Sequence, residues 1–153
     1  MEHASEKVYS SRDIQNYAGI TKMQLNHWIN VGAIIPYKDN RGRGKVRKFS
    51  RQNLIEALIC RELSKLYISS HVMEDLLFGL RVSGFSDVDK EECTFWEMIE
   101  VSDIPQHLAI FSLDDGFIAV DTNTRFLPRI LREESPVLVI NFRSLYKQAA
   151  AAF

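Results

Sequence analysis

Three residues near the N-terminus, Gly19-Ile20-Thr21, constrain this chain more than any other feature. Ahead of them, Ser10 and Ser11 precede Ile14, Tyr17 and Ala18, apolar positions at helical spacing, and a serine hydroxyl can accept the free amide hydrogens of a helix start. The spacing predicts a short helix over 11–18. Gly19 breaks it, Ile20 supplies an apolar plug, and Thr21 can cap a second helix that runs through KMQLNHWINV to Gly32. Two short helices joined by a Gly-containing turn form a helix-turn-helix signature. At about 100° per residue, setting Leu25 inward places Trp28 and Ile29 on the buried face. Met23, Gln24, Asn26, His27 and Asn30 then fall on the open arc. Asn and Gln amides can pair bidentately with adenine in the major groove, where base-edge patterns distinguish all four base pairs. A polar outer face is also what any amphipathic helix shows, so neighbouring segments have to decide.

The next segment is strongly basic. Lys38 to Arg51 (KDNRGRGKVRKFSR) holds seven basic residues opposed only by Asp39, a net +6 in 14 positions. Taken alone, such a run reads as a solvated loop. It also suits a polyanion, because each neutralised phosphate releases condensed counterions. AIIPY, closed by Pro36, fits a strand edge; Arg41-Gly42-Arg43-Gly44 fits a turn tip; and Lys45 to Phe49 alternates well enough for a return strand. The prediction is a basic wing, docked on the core through Val46 and Phe49. Ser50 can cap a third helix over about 51–66, with Leu54, Ile55, Leu58, Ile59, Leu63 and Leu66 repeating at helical intervals. Ser69 or Ser70 opens a fourth, with Val72, Met73, Leu76, Leu77 and Leu80 on one stripe, ending near Gly84.

In that order, the elements resemble the DNA-binding domain of the MerR family of bacterial transcription regulators. Tyr9-Ser10 through Ala18 matches the family's opening Tyr and short helix, and Gly19-Ile20-Thr21 its Gly-hydrophobic-Ser/Thr turn. Leu25-Asn26-His27-Trp28 stands at the recognition-helix positions, Gly32-Ala33-Ile34-Ile35-Pro36 matches the Gly-x-hydrophobic-x-Pro exit, and Arg47-Lys48-Phe49-Ser50 the Arg-x-aromatic-Ser wing end. The family usually carries Arg-Tyr-Tyr where this chain has Asn26-His27-Trp28, so the usual contact from that Arg is missing. The resemblance covers about residues 9–82 and implies a winged helix-turn-helix, dimeric, with its second helix in the major groove of each half-site and its wing on the flanking backbone. Under it, Thr21, Lys22, Gln24, Asn26 and His27 are candidates for base edges or adjacent phosphates. Arg12, Arg41, Arg43, Lys45, Arg47 and Lys48 are candidates for phosphates or a minor-groove insertion. Trp28 reads as core, and Arg47 as a brace for the wing as much as a DNA contact.

Beyond residue 82 the chain departs from the family, whose members continue into a long dimerising helix with apolar heptads. GFSDVDKEE reads as an acidic, turn-rich linker, and FWEMIE over 95–100 as a helical turn or two. His107 to Leu113 and Phe117 to Asp121 flank Asp114-Asp115-Gly116, a hairpin signal. Phe126 to Arg132 fits a helix, PVLVINF over 136–142 a buried strand, and Arg143 to about Ala152 a terminal helix. The expected fold class is therefore α+β: a winged helix-turn-helix over 1–82, then a small α+β oligomerisation or effector module over 83–153 with a short, mostly antiparallel sheet. Residues 1–65 carry a net +6 and residues 66–153 a net −7, so the two parts meet different partners. For the second part the choices are self-assembly into a homodimer, a small-molecule effector pocket lined by Phe95, Trp96, Phe111 or Phe117, or a protein partner. Assembly is favoured, because a module of roughly 70 residues has little interior to spare for a cavity.

Several classes are disfavoured. There is no GxxxxGK[ST], HExxH or nucleophile elbow, so no enzyme and no cofactor are expected. Cys60 falls on the apolar side of a helix and Cys93 in a loop, and His3, His27, His71 and His107 show no cluster spacing, so no metal site is expected. No apolar run reaches about 18 residues and MEHASEKVYS has no signal-peptide pattern, which predicts a cytoplasmic protein without a membrane partner, while the basic strip and the family resemblance imply double-stranded DNA as partner and hence a nucleoid-associated location. Three functions fit: a sequence-specific transcription regulator, an excisionase-like architectural or recombination factor, and a DNA-tethered adaptor that recruits another protein.

Overall fold

The computed structural model describes residues 7–38, 46–82, 84–85, 93–94, 108–112, 116–121 and 137–150. These combine helices with antiparallel strands, an α+β class. The chain divides into two compact units, Met1–Glu74 with Lys147–Phe153, and Asp75–Tyr146. The division falls inside the fourth helix, ahead of the 82/83 boundary read from the sequence, and the last residues return to the first unit.

In the first unit, α1 (Ser11–Ala18) starts where a side chain can satisfy its orphan amides. Ser10 Oγ accepts from Asp13 N–H at 3.2 Å, and Asp13 Oδ2 accepts from Ser10 N–H at 2.8 Å, a reciprocal capping box. That backbone hydrogen bond, then the one from the Ser10 hydroxyl, holds the Asp13 carboxyl below its usual range. Gly19 ends the helix at φ 65°, a left-handed conformation that costs glycine nothing. Arg61 Nη1, from the helix that follows the basic segment, then satisfies the Ala18 carbonyl at 2.9 Å. Arg61 also donates to Glu62, whose carboxyl is held low by Lys65 first and Arg61 second, and to Gln148 Oε1.

Helix α2 (Lys22–Asn30) follows, and α1 packs against both α2 and α3 (Arg51–Lys65). Ile14, Ala18, Ile20, Leu25, Trp28, Ala33, Ile34 and Phe49 are buried, as are Leu54, Leu58, Ile59, Cys60 and Leu63 on α3. Ile29, expected on the buried face, is only half-buried, and Tyr17, part of the apolar spacing of α1, is 45% exposed with its ring edge-on to Tyr9 at 6.2 Å. Gly32, at φ 84°, turns the chain out of α2, and a Cβ there would stand 3.3 Å from Glu74 Oε1. Any other residue would be strained in backbone and crowded in space.

Two backbone pairs hold the basic segment. Tyr9 and Phe49 exchange N–H···O bonds of 2.8 and 2.9 Å, and Lys38 and Lys48 exchange bonds of 3.1 and 2.9 Å, both antiparallel. Residues 39–45, with the expected turn tip, lie outside the described residues. Among the described residues, the pairing in this segment consists of these two single bridges. Phe49 is buried as expected, but Val46 is 64% exposed and does not join the core; alternation marked a face without showing what covers it. Asn53 pins both ends of the segment. Its Oδ1 accepts from Tyr37 N–H at 3.1 Å and Ser50 N–H at 3.0 Å, and its Nδ2 donates to Ile35 O at 2.8 Å and Glu56 Oε2 at 2.9 Å. Leu66, expected on the α3 stripe, lies beyond the helix as its exposed cap residue.

α4 (Ser70–Val82) starts after Ser69, whose Oγ accepts from Val72 N–H, and Met73 is buried while Val72 is half-buried. In the second unit Leu76, Leu77 and Leu80 continue that buried stripe, and Ile140 and Leu145 are also buried. Strands β1 (Gly84–Phe85) and β2 (Cys93–Thr94) pair antiparallel, so the expected linker opens with a strand and Cys93 stands on one rather than in a loop. Strands β3 (Leu108–Ser112), β4 (Gly116–Asp121) and β5 (Val137–Asn141) form an antiparallel sheet in the order β4-β3-β5. Gly116 pairs with Ser112, so it belongs to the strand rather than to the turn, and an irregularity after Ile110 shifts the β3–β4 register. Helix α5 (Phe142–Ala150) follows β5 directly. The helices expected at 95–100 and 126–132 lie outside the described residues, as do Phe95 and Trp96; of the Phe111 and Phe117 side chains nothing is described.

Candidate nucleic-acid interface

The outward face of α2 follows from its inward one. With Leu25 and Trp28 committed to the core, Lys22, Met23, Asn26, His27 and Asn30 line a shallow depression open to solvent. Met23 is 79% exposed, a large apolar side chain that contributes nothing to the core. Met23 and Asn30 were on the predicted open arc but not among the candidate contacts.

Thr21 and Gln24 sit together at the start of this helix. Thr21 Oγ1 accepts from Gln24 N–H at 3.1 Å, while Gln24 Oε1 accepts from Thr21 N–H at 2.9 Å and from the Thr21 hydroxyl at 3.1 Å. Both expected base readers therefore form the helix cap. The signal was present in the sequence, since Thr21-Lys22-Met23-Gln24 has the Ser/Thr-x-x-Glu/Gln spacing of a capping box. Thr21 has its hydroxyl engaged as donor and acceptor, whereas Gln24 keeps its Nε2 hydrogens.

Asn26 is tied to the basic segment. Arg47 Nη1 donates to Asn26 Oδ1 at 3.0 Å across 21 positions of sequence. A guanidinium can only donate, so the amide oxygen must face it and Nδ2 points elsewhere. This bond joins the end of the basic segment to the exposed face of α2.

Lys48 is exposed, and its backbone partner Lys38, also exposed, was not among the candidates. Residues that exchange both backbone bonds put their side chains on one face of the ladder, where like charges repel. No carboxylate pairs with either lysine among the described residues; Lys38 Nζ instead lies 5.5 Å from the Tyr37 ring centre. Arg12 is exposed on the first turn of α1, with no hydrogen bond to the α2 or basic-segment residues among the described residues. Arg41, Arg43 and Lys45 lie outside the described residues.

Taken together, the face offers cations, amide N–H groups and one exposed methionine. Among the described residues no three His, Cys, Asp or Glu side chains gather as metal ligands, Cys60 is buried, and no helix is long and apolar enough to cross a membrane. The chain matches no family model and no curated protein.

Proposed function

We propose that the chain is a sequence-specific DNA-binding transcription regulator of the MerR type, built on a winged helix-turn-helix. α1 and α2 are its helix-turn-helix and the Lys38–Lys48 segment its wing. The observation that carries the reading is the Arg47–Asn26 bond, because it makes the basic segment and the α2 face one surface rather than two independent features. Facing lysines at 38 and 48 support it, since their repulsion is relieved by a phosphate between or beside them. In this reading α2 enters the major groove, and Lys38, Arg41, Arg43, Lys45 and Lys48 follow the flanking backbone.

The regulator acts as a homodimer through its second unit. On α4, Phe78 and Val82 stand one turn apart and exposed, an apolar strip suited to a copy of itself. A two-fold dimer matches a palindromic site, whose half-sites lie about one helical turn apart or a multiple of it. Footprinting on genomic fragments tests the proposal: one protected palindrome beside a promoter supports it, and fragments without any protected site contradict it.

A further inference from the structure

Resting on that reading, we infer that α2 reads a guanine edge, through Gln24 acting as a donor only, and not the adenine that a free glutamine would favour. An amide recognises adenine by using both ends at once, its oxygen accepting from N6 and its nitrogen donating to N7. Gln24 cannot do so. Its Oε1 already accepts from the Thr21 amide and the Thr21 hydroxyl, and a carbonyl oxygen has two lone pairs. Both partners are donors here, which fixes the orientation of the amide. Taking adenine would dismantle the cap of the helix that does the reading.

What remains to Gln24 is Nε2 with its hydrogens, at the N-terminal turn of α2, the part of a recognition helix that meets base edges. Its neighbours have the same character. Lys22 has no acceptor, and Asn26 has given one of its oxygen's two lone pairs to Arg47 while its Nδ2 is unspent. A surface of donors matches guanine, which presents N7 and O6 as adjacent acceptors. Adenine sets a donor beside N7, cytosine shows an amino donor, and thymine offers only the single acceptor O4 beside its methyl, so guanine alone presents two adjacent acceptors to such a surface.

Selection of bound duplexes from a random library by the full chain, followed by titration of the selected site, tests this. A guanine is expected at the position where replacement of Gln24 alters preference. Exchanging that guanine for 7-deazaguanine, which lacks only the N7 acceptor, should weaken binding by about 2- to 10-fold, and exchanging it for adenine by about 5- to 150-fold. Gln24→Glu keeps the oxygen that caps Thr21 but replaces the donor by an acceptor, so a folded variant should exchange guanine for cytosine there. Adenine at that position, indifference to 7-deazaguanine, or an unaltered preference in folded Gln24→Glu overturns the inference while leaving DNA binding standing. Failure of the wild-type chain to bind any duplex at low salt overturns the reading beneath it, and this inference with it. The modified-base arm is read on the wild-type chain, and Gln24→Ala also locates the position, so a misfolded Gln24→Glu cannot shield the inference.

Discussion

The starts of α2 and α3 use the same chemistry for different ends. At each, a hydroxyl and an amide three residues on cap one another: Thr21 with Gln24, and Ser50 with Asn53. Asn53 is 3% exposed, and both ends of its amide are consumed, the oxygen by Tyr37 and Ser50, the nitrogen by Ile35 and Glu56. Gln24 is half-exposed and only its oxygen is consumed. A saturated, buried amide is a structural part; a half-used amide at the surface retains something to offer a ligand. The contrast separates what holds the basic segment in place from what that segment and α2 can bind.

The comparison breaks most visibly at Asn53. Asn53→Ala removes a cap worth about 1 kcal/mol and strands buried partners at a further 1–3, so denaturant unfolding should show a loss of about 3 kcal/mol. A loss below about 1 kcal/mol would mean that water replaces the amide and that Asn53 is not the hub. Gln24→Ala strips only an exposed cap and should cost about 0.5–1 kcal/mol, while altering base preference at one position rather than affinity for every duplex. Lys48→Glu sharpens the functional side. It turns a like-charged cross-strand pair into an opposite one, so the free protein should gain about 0.2–1 kcal/mol while duplex affinity falls. Stability and binding moving together would count against the wing reading.

The smallest effect is acid-dependent. Because the folded carboxyl of Asp13 titrates below its ordinary 3.8, its contribution is present above that value and is lost as pH falls through the lower, folded value. Asp13→Asn should lower stability near neutrality and remove part of the acid-side slope of an unfolding-versus-pH curve. An unchanged slope would show that the Ser10 hydrogen bonds are not what lowers the Asp13 titration.

Helix starts were legible because each rests on one residue type with a local mechanism: Ser10, Thr21 and Ser50 all cap where expected, and Gly19 ends α1. Depth of burial was less so. Tyr17, Ile29, Val46 and Leu66 all satisfy an apolar spacing, yet spacing records only which side of an element a residue occupies, and no partner covers them fully. The β1–β2 pair is two residues long on each side, too short to carry any period, so Cys93 read as loop. At the candidate interface the residue types were readable but their commitments were not. Gln24 and Asn26 have the groups that read adenine; the capping-box spacing from Thr21 to Gln24 carried the first commitment in the sequence, but only the fold reveals that Arg47, 21 positions away, engages the Asn26 oxygen.

Titration of the full chain against duplex DNA over a range of salt concentrations tests the central claim most directly. If the basic segment and α2 form one duplex-binding surface, the logarithm of the association constant should fall linearly with the logarithm of salt, at about 0.9 per phosphate contacted. Arg43→Ala and Lys45→Ala should each flatten that slope by roughly one unit. No binding in dilute buffer, or a slope indifferent to both substitutions, would contradict it.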